Sequence, residues 1–249
     1  MIELKNVFAG YGKKNVIENA CFSISRGKLT CIIGRNGSGK STLLKVVSGL
    51  LKPTDGQALV DGKNILDIER KEIAKLLSYL SQSRNVPEMS VGQMVLHGRF
   101  PHISYPCRYG EKDFEFADNA MTKMGLSEYK DIALSSLSGG MRQKAYIAMA
   151  LAQNTDYILL DEPTTFLDVC SQIELMQVLR TLANENKGIV IVMHDLPLAF
   201  RFCDEIVLMD SGRIVAVGSP AQIYDQKLVK VHFGVDMDVK NENEFFYKY

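Results

Sequence analysis

Hydrophobic and polar positions alternate in two different ways along this chain. Short apolar runs near both ends predict strands, several of them apolar enough to be buried on both faces. From about residue 85 to residue 153 the spacing becomes helical. The predicted strands are 2–8, 20–24, 29–33, 57–60, 76–82, 157–160, 189–193, 206–209 and 214–217, and the predicted helices are 42–47, 91–96, 114–124, 141–151 and 173–184. The pattern therefore predicts an α/β core with an inserted α-helical segment.

The segment 34–41, Gly-Arg-Asn-Gly-Ser-Gly-Lys-Ser, matches the Walker A pattern Gly-x-x-x-x-Gly-Lys-Ser/Thr at every fixed position. It lies between a predicted strand and a predicted helix, as a phosphate loop requires. Its glycines let backbone N–H groups face an anion, and the helix N-terminus adds about half a positive charge. Lys40 is suited to the β- and γ-phosphates and the Ser41 hydroxyl to Mg²⁺. The alternative is a glycine-rich turn with an incidental lysine.

Composition narrows the class of protein. The chain has 249 residues, enough for one large α/β domain or for a core with a smaller lobe. Its 29 basic residues balance 29 acidic ones, so no basic excess indicates nucleic-acid binding. The five cysteines are scattered without a Cys-x-x-Cys pair, which favours a reducing compartment over disulfides or zinc. With neither a signal-like N-terminus nor a long uncharged apolar run, we expect a soluble cytoplasmic protein that meets a membrane only through a partner.

Two adjacent carboxylates, Asp161 and Glu162, end the apolar run 157–160. Phosphoryl transfer requires a carboxylate that holds Mg²⁺ and a group that orients the attacking water. Asp161 suits the first role and Glu162 the second, because the chain turns at a strand end and lets neighbours serve one site. The alternative is an acidic cap on the turn at 163–164.

Two further segments have the chemistry of a phosphate site. Ser-Gly-Gly at 138–140 precedes the predicted helix 141–151 and could form a second anion site, although taken alone it fits a flexible linker better. His194 follows the predicted strand 189–193, which should bring it to the same sheet edge as Glu162. There it could donate to a γ-phosphate, and the alternative is a structural histidine.

Together these motifs resemble those of the ATP-binding subunit of an ABC transporter, over nearly the whole chain. In chain order they are Tyr11 (A-loop), Gly34 to Thr42 (Walker A), Gln82 (Q-loop), Leu137 to Met141 (signature), Tyr157 to Glu162 (Walker B), Phe166 to Asp168 (D-loop) and His194 (switch histidine). Tyr11 is interpreted as a ring that stacks on the base. The alternative is a turn tyrosine whose ring is half buried. Met141 departs from the glutamine usual in the signature. Since the resemblance assigns γ-phosphate contact to Ser138 and Gly140, we expect ATPase activity to survive.

The resemblance implies a fold and its subdivision. The expected fold class is α/β, a phosphate-loop NTPase core with a mixed sheet, flanking helices and an N-terminal antiparallel β portion, plus an inserted α-helical subdomain. The ABC ATPase domain is expected at 1–235, with core parts 1–84 and 154–235 and the helical subdomain at about 85–153. Residues 236–249 form a tail without an assignment.

The resemblance also implies the site and its ligands, ATP and Mg²⁺. Glu162 and His194 are the expected catalytic residues, and Ser41, Gln82 and Asp161 the expected metal ligands. The expected ATP-binding residues are Tyr11, Gly34, Arg35, Asn36, Gly37, Ser38, Gly39, Lys40, Ser41, Thr42, Gln82, Ser138, Gly139, Gly140 and Asp168. Two subunits would dimerise head to tail, with each ATP between Walker A of one copy and Ser138-Gly139-Gly140 of the other.

A free subunit of this kind resembles part of a bacterial importer. The stretches 95–102, 151–155 and 164–168 are similar to those of the subgroup that imports iron(III)-siderophores, haem and cobalamin. Gly-Arg-Phe-Pro-His at 98–102 lies where the family docks on its permease; the alternative is a loop that ends a helix at Pro101. The implied partners are a second copy, permease subunits and, indirectly, an extracytoplasmic binding protein, without nucleic acid. The implied location is the cytoplasmic face of the membrane.

Two other classes of protein remain as alternatives. One is a soluble ABC-type ATPase of DNA repair or translation, for which a long coiled-coil insertion is typical. Residues 41–137 carry no sustained heptads, which counts against it. The other is a nucleotide-binding regulator without turnover, and the presence of Glu162 and His194 counts against that.

Overall fold

The computed structural model describes residues 1–12, 14–82, 86–104, 106, 108–240 and 245–248. Its strands are β1 (Ile2–Tyr11), β2 (Lys14–Ile24), β3 (Leu29–Gly34), β4 (Asp55–Val60), β5 (Lys63–Asn64), β6 (Leu77–Leu80), β7 (Tyr157–Asp161), β8 (Gly188–Val192), β9 (Glu205–Asp210), β10 (Arg213–Gly218), β11 (Asp236–Val239) and β12 (Phe245–Lys248). Its α-helices are α1 (Lys40–Val47), α2 (Arg70–Leu76), α3 (Val91–His97), α4 (Glu111–Lys123), α5 (Gly139–Ala152), α6 (Val169–Asn184), α7 (Leu196–Phe202), α8 (Pro220–Asp225) and α9 (Leu228–Phe233). Short 3₁₀ turns lie at Ile65–Asp67, Phe100–His102, Ser127–Tyr129 and Leu134–Ser136. The predicted α/β fold with helices inserted between two core strands is confirmed.

The central sheet has the strand order β10-β9-β3-β8-β7-β6, in which every pair is parallel except β10 with β9. Strands β3, β7 and β8 are buried at every position, because layers of structure cover both sheet faces. Their continuous apolar runs are the sequence signature of that burial. Since parallel strands end at one edge, the loops after β3, β7 and β8 meet there.

A second sheet, of antiparallel strands in the order β2-β1-β4-β5, forms the N-terminal portion. Strands β1 and β2 are longer than the predicted 2–8 and 20–24, because a register shift interrupts their alternation. Asn6 and Asn19 both adopt left-handed backbone there, and Asn6 Nδ2 donates to Asn19 Oδ1 at 3.0 Å. Because this bulge breaks the alternation of apolar and polar positions, a period-two pattern does not continue along the rest of either strand.

Arg99 ties the inserted helices together. Its side chain is buried and donates to the carbonyl oxygens of Ala152 and Gln153, each at 3.0 Å. It also pairs with Asp113 at 3.0 Å and lies over the ring of Phe116. A buried guanidinium is stable only when its donors are satisfied, so these contacts hold α4 and the end of α5 in place.

Two predictions at the margins of the core need correction. The predicted strand 76–82 is too long: Leu76 ends α2, a helix that was not predicted, and the strand is Leu77–Leu80. The consecutive leucines at 76 and 77 fit either element, and such short apolar runs are ambiguous. The unassigned tail contains a β-hairpin, β11 paired with β12. No helix in the described part of the chain is long and apolar enough to cross a membrane.

Gly98 allows α3 to approach α5. Its backbone has ordinary helical angles, φ −55° and ψ −25°, but a Cβ there would overlap the carbonyl oxygen of Met149. We expect Gly98→Ala to lower the free energy of unfolding by about 1–3 kcal/mol, a fall in melting temperature of about 5 °C. Gly110→Ala is the matched control, since Gly110 has φ −93° and only one atom near its Cβ position, at 3.9 Å. Equal melting temperatures in calorimetry would contradict the close approach.

Candidate nucleotide-binding site

The phosphate loop has the predicted setting between the end of β3 and the start of α1. Gly39 precedes the helix with φ 101°, a conformation that side chains disfavour, and a Cβ there would lie 2.7 Å from Ile17 Cδ1. At Gly34 a Cβ would overlap the carbonyl oxygen of Met209. The glycines of the motif are therefore required by local backbone shape as well as by phosphate access.

Lys40 folds back over this loop. Its Nζ donates to the carbonyl oxygens of Gly34 at 2.9 Å and Arg35 at 3.1 Å. Burial lowers the pKa of Lys40, and the charges of Glu162 and Asp161 partly oppose that shift. The ammonium thus lies among neutral carbonyls, which makes an anionic ligand electrostatically favourable.

Ser38, in the same loop, has a buried Oγ without a hydrogen-bond partner among the described residues. A buried hydroxyl normally finds a partner, so this exception needs an explanation, and its place in the phosphate loop suits a ligand. The loop therefore has an unused donor where a phosphate oxygen would fit.

Ser41 and Asp161 form the oxygen cluster expected for Mg²⁺. Ser41 Oγ donates to Asp161 Oδ1 at 3.0 Å, and the Tyr79 hydroxyl donates to Oδ2 at 3.4 Å. Burial raises the pKa of Asp161, while the bond from Ser41 opposes the rise. A hydroxyl and a carboxylate beside a phosphate loop are ligands that Mg²⁺ accepts, so these residues fit the ion.

Tyr79 was missed by the sequence analysis. It lies on β6, paired in register with Leu159 of the neighbouring strand β7. The only available signal was a hydroxyl within an otherwise apolar strand beside the carboxylate-bearing one.

Glu162, Gln82 and His194 meet at the sheet edge. Gln82 Nε2 donates to Glu162 Oε2 at 2.6 Å, and His194 Nε2 shares a hydrogen bond of 2.8 Å with Glu162 Oε1. The backbone of Glu162 has φ 50°, a left-handed turn that takes its side chain off the strand direction. The predicted proximity of His194 and Glu162 is confirmed, and both carboxylate oxygens are held.

A cleft of about 550 Å³ contains much of the predicted site. It is lined by Val16, Asn36, Gly37, Gly39, Lys40, Ser41, Thr42, Gln82, Glu162 and His194. Val16 was not among the predicted residues, and an apolar position on a strand gave no signal for it. Tyr11 ends β1 and is 52% exposed; its hydroxyl accepts from Lys45 Nζ at 3.3 Å, and the same Nζ lies over its ring, 5.7 Å from the centroid. Stacking of this ring on the base stays a prediction, with the half-buried turn tyrosine as the alternative.

The signature and D-loop residues lie outside that set. Ser138 is the N-cap of α5, where its Oγ accepts from Met141 N at 3.3 Å. Gly139 lines a separate cavity of about 180 Å³ together with Phe166. Asp168 is the N-cap of α6 and accepts from Ser171 N at 2.7 Å. Within the described residues, Ser138, Gly139, Gly140 and Asp168 do not line the cleft.

Phe166 was predicted as part of the D-loop but was not among the predicted site residues. Its backbone has φ 69° and its side chain is 78% exposed, against Gly139. A bulky residue in left-handed backbone is strained, and such strain gathers at functional turns. The turn from Glu162 to Phe166 contains two of these residues.

Comparison with known proteins decides the family. The family model described as ABC transporter matches residues 17–165. The chain belongs to the ABC transporter family. Members of this family bind ATP and hydrolyse it to drive transport; their cassettes dimerise and work with transmembrane permease subunits. The predicted family and ATPase activity are confirmed.

Individual relatives of this ABC ATPase cover most of its length. The petrobactin import ATP-binding protein FpuD of Bacillus anthracis is 41% identical, over 98% of this chain and 90% of that protein. The ferric enterobactin transport ATP-binding protein FepC of Escherichia coli K12 is also 41% identical, over 91% and 84%. The dimeric structure of MJ0796, a bacterial ABC transporter cassette, superposes with TM-score 0.79 and 30% identity, over 88% and 99%.

The raised pKa of Asp161 gives a stability prediction for the free ABC ATPase. A raised pKa means that folding disfavours the carboxylate, so Asp161 costs stability once the pH rises through its folded-state pKa. We expect Asp161→Asn to melt higher near neutral pH, by about 3 °C, because the amide keeps an acceptor without the buried charge. The difference should shrink as the pH is lowered and Asp161 takes up its proton.

Asp156→Asn is the control, at the opposite end of the same strand. Asp156 is half exposed and pairs with Arg26 at 2.9 Å, so its loss should not raise the melting temperature. Calorimetry across the pH range checks both variants. A lower melting temperature for Asp161→Asn at every pH would contradict the prediction.

Proposed function

We propose that this chain is the ATP-hydrolysing subunit of a bacterial importer of iron(III) chelates, which dimerises around two ATP molecules and works through a partner permease. The observation that carries the proposal is Glu162, bound by both Gln82 and His194 beside a complete phosphate loop. A regulator without turnover has no need of that arrangement.

The phosphate loop binds ATP through backbone N–H groups, Lys40 and the unpartnered hydroxyl of Ser38. Ser41 and Asp161 would hold Mg²⁺, together with the amide oxygen of Gln82. When bound, the ion neutralises charge on the phosphate oxygens. Asp161 serves as a ligand only when ionised, which its burial makes harder. The positive charges of the ion and Lys40 offset that cost.

Glu162 orients and polarises the attacking water, and His194 steadies Glu162 and contacts the γ-phosphate. In the free protein both carboxylate oxygens of Glu162 are engaged, at 2.6 Å and 2.8 Å. The carboxylate must therefore exchange one partner for the water. We expect the bond from Gln82 to be the one released, because Gln82 is also one of the residues that would hold Mg²⁺.

A second copy completes the site. Ser138, Gly139 and Gly140 form the N-terminus of α5 but lie away from the cleft of their own chain. We assign them to the γ-phosphate of the partner's ATP, as the helix N-terminus favours an anion. Tyr11 stacks on the base within its own chain, and Asp168 links the two sites across the dimer. The dimeric structure of the similar cassette MJ0796 supports the dimerisation itself.

Replacing Glu162 tests the assigned reaction. We expect Glu162→Gln to bind ATP normally and hydrolyse it at least about a hundredfold more slowly, because the amide cannot accept a proton. Glu174→Gln, a change at an exposed residue of α6 paired with Lys144, should keep wild-type turnover. Fluorescent-nucleotide titration and phosphate release measure the two quantities. Near wild-type turnover in Glu162→Gln would refute the role of Glu162.

A groove of about 360 Å³ is the proposed permease surface. Its lining is mainly apolar and includes Gly98, Phe100 and Pro101 of the segment predicted to dock. Phe100 is 63% exposed and Leu50, also in the lining, is 66% exposed. Exposed large apolar side chains around a groove favour a protein ligand. We assign the groove to a short apolar segment at the cytoplasmic face of the permease.

The cargo is inherited from relatives rather than from contacts in this chain. The two relatives are named for petrobactin and ferric enterobactin. An iron(III)-siderophore is therefore the first candidate, and haem or cobalamin the second. An extracytoplasmic binding protein would act on the permease and touch this subunit only indirectly. A soluble role in DNA repair or translation is disfavoured, because these relatives are transport subunits matched over most of their length.

A charged residue introduced into the groove should abolish transport and leave ATP hydrolysis unchanged. We expect Phe100→Asp to abolish co-purification with the permease and growth on an iron(III)-siderophore as sole iron source, because a charge must be desolvated there. ATP hydrolysis by the isolated subunit should stay unchanged. Phe114→Asp, at another exposed phenylalanine of the inserted helices, is the control and should preserve growth.

The two parts of that result are distinguishable. Growth of a deletion strain on the siderophore would refute the cargo. Growth of the Phe100→Asp strain where the deletion strain does not grow would refute the docking surface. Recovery of ribosomes or DNA with the wild-type protein would support the soluble alternative instead.

A further inference from the structure

The helix α7 begins immediately after His194 and Asp195, and its first turn has one donor that it cannot satisfy itself. Asp195 is the N-cap, and its Oδ1 accepts from Leu198 N at 2.9 Å. Its carbonyl oxygen accepts from Ala199 N at 3.0 Å, and Pro197 has no N–H. Among these residues, Leu196 N–H is left without an acceptor from the helix or its cap.

Tyr247, near the C-terminal end of the chain, supplies that acceptor. Leu196 N donates to Tyr247 Oη at 3.3 Å, across 51 positions in sequence. Leu196 is itself buried, so its N–H would otherwise be costly to leave unpaired. The hydroxyl of Tyr247 is thus attached to the backbone two residues after His194.

The hairpin β11–β12 is in turn fixed on α7. Phe245 is buried and packs edge-on against Phe200 of α7, with ring centroids 5.2 Å apart, and against Tyr224 of α8 at 5.5 Å. Phe245 and Tyr247 share one face of β12, since side chains alternate along a strand. Phe246 points the other way and is 45% exposed. The hairpin therefore contacts α7 at its middle and at its start.

His194 depends on that backbone for its position. Its side chain is 47% exposed, so packing around the ring supplies only part of its restraint. Its bond to Glu162 is 2.8 Å, and misplacement of a catalytic group by about 1 Å can cost orders of magnitude in rate. We propose that Tyr247 is a positioning residue that holds the start of α7 and thereby sets His194 against Glu162. The consequence for turnover rests on the role proposed above for His194.

Tyr247→Phe tests the positioning because it removes only the hydroxyl. The chain has four histidines, so the ring signals can be resolved by carbon–proton correlation spectroscopy and His194 identified from the His194→Ala spectrum. We expect the His194 signal of the full-length protein to move or broaden in Tyr247→Phe, while the His97 and His102 signals stay in place. Phe246→Leu is the matched control on the opposite face of the hairpin and should move none of them.

Kinetics give the second readout. We expect Tyr247→Phe to lower kcat for ATP about three- to tenfold with KM unchanged, as for loss of one hydrogen bond that acts only in the chemical step. The melting temperature should stay within about 2 °C, since a hydroxyl contact at the edge of the fold is a small part of its stability. Phe246→Leu should keep wild-type kcat.

An unmoved His194 signal in Tyr247→Phe would overturn the inference, as would a fall in kcat that merely follows a fall in melting temperature. Failure of the proposed function would be seen in the ATPase rate of His194→Ala instead. If His194→Ala hydrolysed ATP at the wild-type rate, His194 would have no catalytic role, whatever its signal does in Tyr247→Phe.

Discussion

The parallel register of β3, β8 and β7 determines where the reactive groups lie. Ile32 pairs with Val192, and Val192 pairs with Asp161, so the three strands end at nearly the same level. The phosphate loop follows the first of them, His194 the second and Glu162 the third. Each of these residues lies at a strand end or on the short turn that follows it. Residues far apart in sequence thus come within hydrogen-bond distance. The buried, continuous apolar strands keep this register, because a slip would displace fully buried side chains.

The same edge concentrates features that cost stability. Burial moves the pKa of Lys40 down and that of Asp161 up, so both groups are shifted toward their neutral forms. Glu162 and Phe166 occupy left-handed backbone that disfavours side chains. A bound nucleotide and Mg²⁺ would supply the opposite charges that these groups lack. The free protein therefore holds a site that is electrostatically incomplete, and ligand binding is favoured to the extent that it relieves that state.

The sequence was sufficient for groups whose position follows from local pattern. The phosphate loop, Asp161, Glu162 and His194 each come directly after an apolar run, so strand ends and motif spacing placed them together. Tyr79, Val16 and Tyr247 could not be found in this way, because their contacts join segments that no local pattern relates. Leu76 shows a second limit, since its apolar neighbours fit a helix and a strand equally well. The boundaries 1–84, 85–153 and 154–235 stay a prediction.

Tyr79 lies between the nucleotide-binding cleft and the groove proposed for the permease. Its ring lines the apolar groove, and its hydroxyl donates to Asp161 at 3.4 Å. Gln82, which bonds to Glu162, comes three residues later, just past the end of the same strand. A partner seated in the groove would therefore contact a strand that bonds to Asp161 through Tyr79 and to Glu162 through the residue just past its end. The four residues of β6 thus connect the lining of the groove proposed for the permease to both carboxylates, through Tyr79 and through Gln82 just past the strand end.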